Sequence, residues 1–187
     1  MPLTDNNDED LTMEYAAGNA AAFEVLYQRH RGSLYRYVLR HCSDPHISEE
    51  LYQDVWMKVI NAAGIYKPTA SFKTYLYHIA HNRVIDHYRQ SDNRWRQSPL
   101  DIDSENTPAA AWAGSGTQPD QEVSNLRDIN RLLNLVEALP EQQREAFLLR
   151  EEAGLTLQQI AEVTGVGKET AKSRLRYAVN SLREGLQ

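Results

Sequence analysis

The chain has 187 residues, 41% hydrophobic and 25% charged, with one cysteine and a formal net charge of −6, enough for one or two compact domains. No apolar run approaches the roughly 18 residues that cross a bilayer, and the acidic start MPLTDNNDED is unlike a signal peptide, so a cytoplasmic protein without membrane insertion is expected. Cys42 alone makes neither an internal disulfide nor a cysteine-cluster metal site, and the net charge at face value opposes nucleic-acid binding.

In chain order, Phe23, Leu26, Tyr27, His30, Leu34, Val38 and His41 recur at three- and four-residue steps and predict a helix over about 20–42. Ser48 is read as the N-cap of the next helix, with Leu51, Val55 and Val59 on one stripe, Tyr52, Trp56 and Ile60 on its neighbour, and Gly64 at the end. After a loop from Ile65 to Ala70, a third helix over about 71–90 turns Phe72, Leu76, Ile79 and Ala80 inward. The stretch SPLDIDSENTPAAAWAGSGTQPDQE has no apolar period and reads as a flexible linker carrying one large apolar residue, Trp112. Beyond it, Leu126, Ile129, Leu133 and Val136 form a stripe, Pro140 opens a further helix at its first position and Gly154 closes it. No alternating run suggests a strand, so the fold expected is all-α, two helical domains joined by a linker. The boundaries are 10–96, 97–123 and 124–187.

The charge is unevenly spread. Residues 1–30 carry −5 and residues 99–125 carry −5, whereas residues 61–98 and 168–183 carry +4 each. Two basic patches therefore sit inside an acidic chain, and a polyanion responds to such patches rather than to the total.

The C-terminal patch lies in LTLQQIAEVTGVGKETAKSRLRYAVNSLREGLQ. Thr156 with Gln159 is a capping-box pattern, and Gly165 stands where a left-handed C-cap precedes a tight turn. A second helix from Gly167–Lys168 buries Ala171, Leu175, Ala178, Val179 and Leu182 and exposes Lys168, Lys172, Ser173, Arg176 and Tyr177. A short helix, a glycine turn and a helix basic on its exposed N-terminal face make a helix-turn-helix, which lays its second helix in the major groove. Lysine and arginine there reach phosphates or guanine edges. A solvated basic helix in an ordinary bundle is the alternative.

In SEELYQDVWMKVI, Glu50 and Asp54 are like charges one turn apart, which destabilises a lone helix by a few tenths of a kcal/mol. Acids in a first turn favour the helix dipole, but Asp54 lies deeper, so Glu49, Glu50, Gln53 and Asp54 read as a docking face for a basic partner, with a solvated face as the alternative. In SFKTYLYHIAHNRVIDHYRQ, Tyr75, Tyr77 and Tyr88 interleave with Lys73, Arg83 and Arg89, the combination that stacks on unpaired bases and follows their phosphates. Core packing also explains such rings. Asn82 is a poor mid-helix residue and implies a specific hydrogen bond.

The order of these blocks resembles an extracytoplasmic-function (group IV) sigma factor of the sigma-70 family, over roughly residues 10–96 and 124–185. The resemblance implies a region 2 helical bundle and a region 4 helix-turn-helix domain, without the additional domains that larger members carry between them. It implies that Glu49, Glu50, Gln53 and Asp54 bind the β′ clamp helices of core RNA polymerase, and that the β flap is a further contact. It implies that the loop 65–70 and Lys73, Tyr75, Asn82, Arg83 and Arg89 serve the −10 element. There Ile79-Ala80-His81-Asn82 matches a pattern whose Asn helps to hold a flipped base, and Tyr75 replaces the Trp of many members. Extrusion of that base costs a few kcal/mol that the pocket must repay. Lys168, Lys172, Ser173, Arg176 and Tyr177 fall on −35 positions. Promoter DNA and an anti-sigma factor are implied partners; no catalytic residue, metal, cofactor or small-molecule substrate is expected. A stand-alone helix-turn-helix regulator remains the rival on sequence, and an enzyme using His78 and His81 as metal ligands a distant one.

Overall fold

The computed structural model describes residues 3–62, 70–91 and 121–187, with side chains described at all but 90–91 and 121–126 of these. Gly64, most of the 65–70 loop, Trp112 and the side chain of Leu126 lie outside the described residues. Every described element is helical. After a short 3-10 turn at Leu3–Asp5 come α1 (Asp8–Ala16), α2 (Ala20–Cys42), α3 (Pro45–Ala62) and α4 (Phe72–Ser91). The second unit is α5 (Gln121–Ala138), α6 (Glu141–Glu151), α7 (Leu157–Thr164) and α8 (Lys168–Leu186).

Local chemistry sets the helix starts. Asn7 accepts a hydrogen bond from the Asp10 amide, and Asp8, Glu9 and Asp10 complement the dipole of α1. Sequence reading had no helix here, although that cap and acid run are a helix-start signature. At α3 the expectation of a Ser48 cap is corrected: Asp44 Oδ1 takes the amides of His46 and Ile47 at 2.8 and 3.2 Å, and Pro45 occupies the first helical position. Ser48 is buried inside the helix and donates its hydroxyl to the Asp44 carbonyl. At α4 the Ser71 hydroxyl accepts the Thr74 amide, and Glu9 of α1 accepts the Phe72 amide at 3.0 Å, tying α1 to α4.

The core of the first unit is built from Leu26, Leu34, Val38, Leu51, Val55, Phe72, Leu76 and Ala80, all buried. Trp56 adds edge-on contacts to Phe23 and Tyr27 at ring-centroid separations of 5.8 and 5.1 Å, pairs worth about 0.5–1.5 kcal/mol each beyond area burial. In the second unit α6, α7 and α8 close over Leu148, Leu149, Leu155, Ile160, Val163, Ala171, Ala178 and Leu182. The expected stripe of α5 is displaced. Ile129 is 52% exposed, and Leu132, Leu135, Val136 and Leu139 do the packing, because α8 meets the C-terminal end of α5. A Cβ on Gly185 would sit 2.5 Å from Leu135 Cδ2, so any larger residue there has to displace the Leu135 side chain. Pro140 stands one place before α6 rather than in its first turn, and Gly154 beyond α6 takes φ +65°.

The two units touch. Helix α7 of the second packs against α4 of the first, and α6 against α2.

Candidate nucleic-acid and polymerase interfaces

The helix-turn-helix follows its sequence closely. Thr156 accepts from the Gln159 amide while the Gln159 side chain accepts from the Thr156 amide, the reciprocal capping box expected at the start of α7. Gly165 ends α7 at φ +69°, and the Val166 amide returns to the Ala161 carbonyl at 3.1 Å. The turn thus needs a left-handed residue that glycine supplies without a Cβ clash. Beyond it, Ala171, Ala178 and Leu182 seat α8 on the core, and the other side of the helix carries the predicted readers. Lys168, Lys172, Arg176 and Tyr177 are exposed and Ser173 half-exposed. The Arg176 guanidinium lies 5.1 Å from the Tyr177 ring centroid, and Lys172 reaches Glu169 at 3.6 Å with both side chains largely in solvent, a pairing too weak to hold the lysine back. Arg174, by contrast, is half-buried; desolvation lowers its pKa, opposed by the nearby Glu145 carboxylate.

On α3, Glu49, Glu50 and Gln53 are exposed, with Gln53 donating to Glu49 at 2.8 Å, and Asp54 is half-exposed. Met57, one turn beyond Gln53, is 54% exposed and extends this face with an apolar edge that sequence reading did not select. The like-charge pair has an internal answer. Arg83 of α4 donates to Asp54 at 2.8 Å and lies 3.9 Å from Glu50, its side chain only 15% exposed. The clash of Glu50 with Asp54 therefore needs no outside cation to relieve it.

The five residues expected at the −10 element do not share one surface. At 100° per residue Tyr75, Asn82 and Arg89 line one side of α4. Asn82 is exposed, with Nδ2 3.3 Å from His78 Nδ1, and Arg89 is exposed near the helix end. Tyr75 is half-buried beside Phe72 at 6.5 Å, and burial raises its hydroxyl pKa. Lys73 projects from another side, toward the turn at Gly154. Arg83 turns to α3. His78 and His81, weighed as a metal pair, point to different partners, Asn82 and Glu145.

A cluster that sequence reading missed lies between the units. Glu145 of α6 is buried against Tyr37 and His41 of α2 and His81 of α4. Its signal was present: Glu145 shares the stripe of Leu148, Leu149 and Glu152, so an acid stands at a buried helical position while two histidines stand on inward faces elsewhere.

Compared with known proteins, residues 26–94 match sigma-70 region 2 and residues 129–182 match sigma-70 region 4. The chain is 31% identical over 188 residues to the ECF RNA polymerase sigma factor SigK of Mycobacterium sp. (strain KMS), covering 100% of this chain and 94% of SigK. To the ECF RNA polymerase sigma factor SigL of Mycobacterium tuberculosis it is 30% identical over 173 residues, 92% of this chain and 93% of SigL. The fold is similar to that of CnrH in complex with the cytosolic domain of CnrY, with a TM-score of 0.68 at 20% identity over 96% of each chain. It is also similar to the sigma factor RpoE of Bartonella quintana in complex with the anti-sigma factor NepR, with a TM-score of 0.65 at 22% identity over 88% of this chain and 96% of the other. Two region-specific matches in order and a relative aligned end to end favour a sigma factor over a stand-alone regulator, and the chain belongs to the extracytoplasmic-function sigma factors of the sigma-70 family, which direct RNA polymerase to promoters.

Proposed function

We propose that this sigma factor, of group IV, reads −35 DNA with α8 and −10 DNA with the Tyr75–Asn82–Arg89 side of α4, and docks on the β′ clamp helices through Glu49, Glu50, Gln53 and Met57. The observation that carries the reading is α8 itself: four of its five expected readers are exposed, behind a tight glycine turn, on a helix whose opposite side is buried. Lys168 and Lys172 act on phosphates, and Arg176, held over Tyr177, reads a base edge. Arg83 and Asp54 take a different part from the one the family pattern gave them: they lock α4 to α3, so the DNA-reading helix and the polymerase-docking helix move as one body. Lys73 meets backbone phosphate once the second unit leaves its vicinity.

Region 2 is taken as residues 10–96, region 4 as 124–187 and the linker as 97–123. The β flap engages region 4, and an anti-sigma factor regulates the chain, as the RpoE–NepR complex illustrates for a protein of the same fold. The site of action proposed is the cytoplasm, where polymerase and promoter DNA meet; no helix among the described residues is long and apolar enough to cross a membrane.

The docking face is tested by the double variant Glu49→Lys/Gln53→Ala, two exposed changes at residues that make no contact with Arg83. Pull-down with core polymerase is expected to weaken on the order of tenfold or more while the melting temperature stays put. Unchanged affinity removes this face from the reading.

A further inference from the structure

The contact between the two units is held by a polar cluster that neither promoter nor polymerase binding uses. Glu145 is 7% exposed. The Tyr37 hydroxyl donates to its Oε1 at 2.7 Å, His81 Nδ1 lies 3.0 Å from the same oxygen, and His41 Nε2 lies 2.8 Å from Oε2, an ion-pair distance though not aligned as a hydrogen bond. Tyr37 and His41 are themselves buried, and the Tyr37 ring packs edge-on against His41 and Tyr77 at 4.7 and 5.2 Å. Two outlying bonds flank the cluster: Arg36 to Glu152 at 2.6 Å and Gln159 to Ser71 at 3.0 Å. Each crosses from the first unit to the second.

A buried carboxylate without partners costs several kcal/mol. All three groups within 3.0 Å of the Glu145 carboxylate come from the first unit, and its own unit offers it only the longer-range charge of half-buried Arg174. An apolar residue of similar volume would seal the contact at least as stably. What the carboxylate adds is dependence on one docking geometry, and a contact that becomes unfavourable when only half of it is in place.

The closed geometry conflicts with promoter reading. Taken as proposed above, α4 and α8 serve elements about 25 base pairs apart, roughly 85 Å of duplex at 3.4 Å per step. Here α7 packs on α4 and α8 packs on α7, and packed helix axes lie about 8–10 Å apart, so α4 and α8 stand within roughly 20 Å of each other where they cross. The two helices cannot meet both elements in this form. The 29 residues from 92 to 120 can span at most about 100 Å fully extended, enough chain to let the units part.

We infer that the Glu145–Tyr37–His41–His81 cluster is an autoinhibitory latch that holds the free chain closed, and that engagement of polymerase and both promoter elements requires it to open. This rests on the assignment of α4 and α8 to the two elements. The latch keeps Lys73 against the Gly154 turn and denies the free chain the reach that specific promoter binding needs.

The experiment uses the full chain in two arms. In small-angle scattering the wild type is expected at a radius of gyration of about 16 Å, the value for one compact body of this length, and Glu145→Ala at a clearly larger one with unchanged helical circular dichroism. Equal radii overturn the latch. Should Glu145→Ala lose helix, Tyr37→Phe takes its place, since it removes one hydroxyl and leaves the ring packed; faster amide exchange confined to the α2–α6 contact supports the latch, and wild-type exchange there overturns it. In the second arm, Arg36→Cys/Glu152→Cys in a Cys42→Ala background is joined by a short reversible thiol cross-linker. The cross-linked chain is expected to lose promoter-specific transcription with core polymerase and to regain it on reduction; full activity while cross-linked overturns the requirement for opening. If the reduced chain also fails to initiate, the promoter reading fails, while the scattering arm still decides whether the cluster holds the chain closed.

Discussion

In α8 the side chains proposed to face the promoter stand free of the fold: Lys168, Lys172, Arg176 and Tyr177 are exposed, and the contacts of Lys172 and Arg176 are with near neighbours on the same helix. In α4 the corresponding set is entangled with the rest of the molecule. Arg83 bonds to α3, Lys73 lies at a turn of the other unit, Tyr75 is half-buried, and His81, inside the family's own pattern, is bonded to Glu145. A helix that reads duplex DNA with outward side chains can be specified locally. A helix that bonds to one neighbour and closes against a second unit, as α4 does, is specified by what surrounds it, whatever base it is proposed to hold.

This contrast predicts that changes in the two regions separate stability from recognition. The largest effect is expected from Phe72→Ala, which empties a fully buried site where α4 begins, beside His30 at 5.4 Å. It should cost about 3–5 kcal/mol in urea unfolding; a loss below 1 kcal/mol would show that the region 2 core repacks freely. Next comes Arg176→Ala, with stability unchanged within about 0.5 kcal/mol but about 1–3 kcal/mol of discrimination lost at one −35 base pair. Selection from a pool of promoter variants by the mutant holoenzyme reads this directly, and retention of the wild-type preference at every position would move the contact elsewhere. Smaller again is Gly165→Ala. Space at that Cβ is open, so only the left-handed backbone at φ +69° opposes it, and a loss of about 1–2 kcal/mol is expected in denaturant unfolding. A neutral result there would mean the turn relaxes.

The pH dependence of the closed form follows from two neighbouring acids with opposite shifts. Burial raises the pKa of Glu145, but the neighbouring imidazoles of His41 and His81 outweigh it and hold the carboxyl well below its ordinary 4.5. Its share of closure is therefore present above about pH 4.5 and is lost as pH falls toward the depressed value. Glu141, on the same helix, is pushed up to about 7, chiefly by burial, with Glu145 adding to the rise and Arg144 and His81 opposing it. Its protonated form suits the closed chain, so its share is full below pH 4.5 and fades as pH climbs through 7. Tyr37, His41, His81, Glu141 and, from α8, Arg174 face Glu145. Scattering between pH 3 and 8 should show the chain opening on the acid side, and Glu145→Gln, which imitates the protonated acid, should flatten that limb and leave the chain open across the range. An acid limb that survives in Glu145→Gln would assign it to another group.

Much of the fold could be read along the chain because its rules are local. The spans of α2 and α4, the capping box at Thr156 and the glycine at Gly165 each depend on residues within a few positions of one another. Errors came where a distant element decided the outcome. Ile129 is apolar and in period, yet α8 packs on the other end of α5, so it remains outside. Ser48 is a good cap residue, but Asp44 with Pro45 starts the helix a turn earlier. The bond of Arg83 to Asp54 was likewise beyond local reading, since only the packing of α4 on α3 brings the two together. The latch was hardest to see, since its four members span residues 37 to 145 and no local spacing links Glu145 to Tyr37, His41 or His81.

The most direct test of the central claim is transcription in vitro by core polymerase over genomic fragments, with and without this chain. Initiation is expected at a small set of sites sharing −35 and −10 sequences, dependent on the chain, together with weak binding of the free chain to the same duplexes. Strong sequence-specific binding by the chain alone, with no initiation by the polymerase, would contradict the claim.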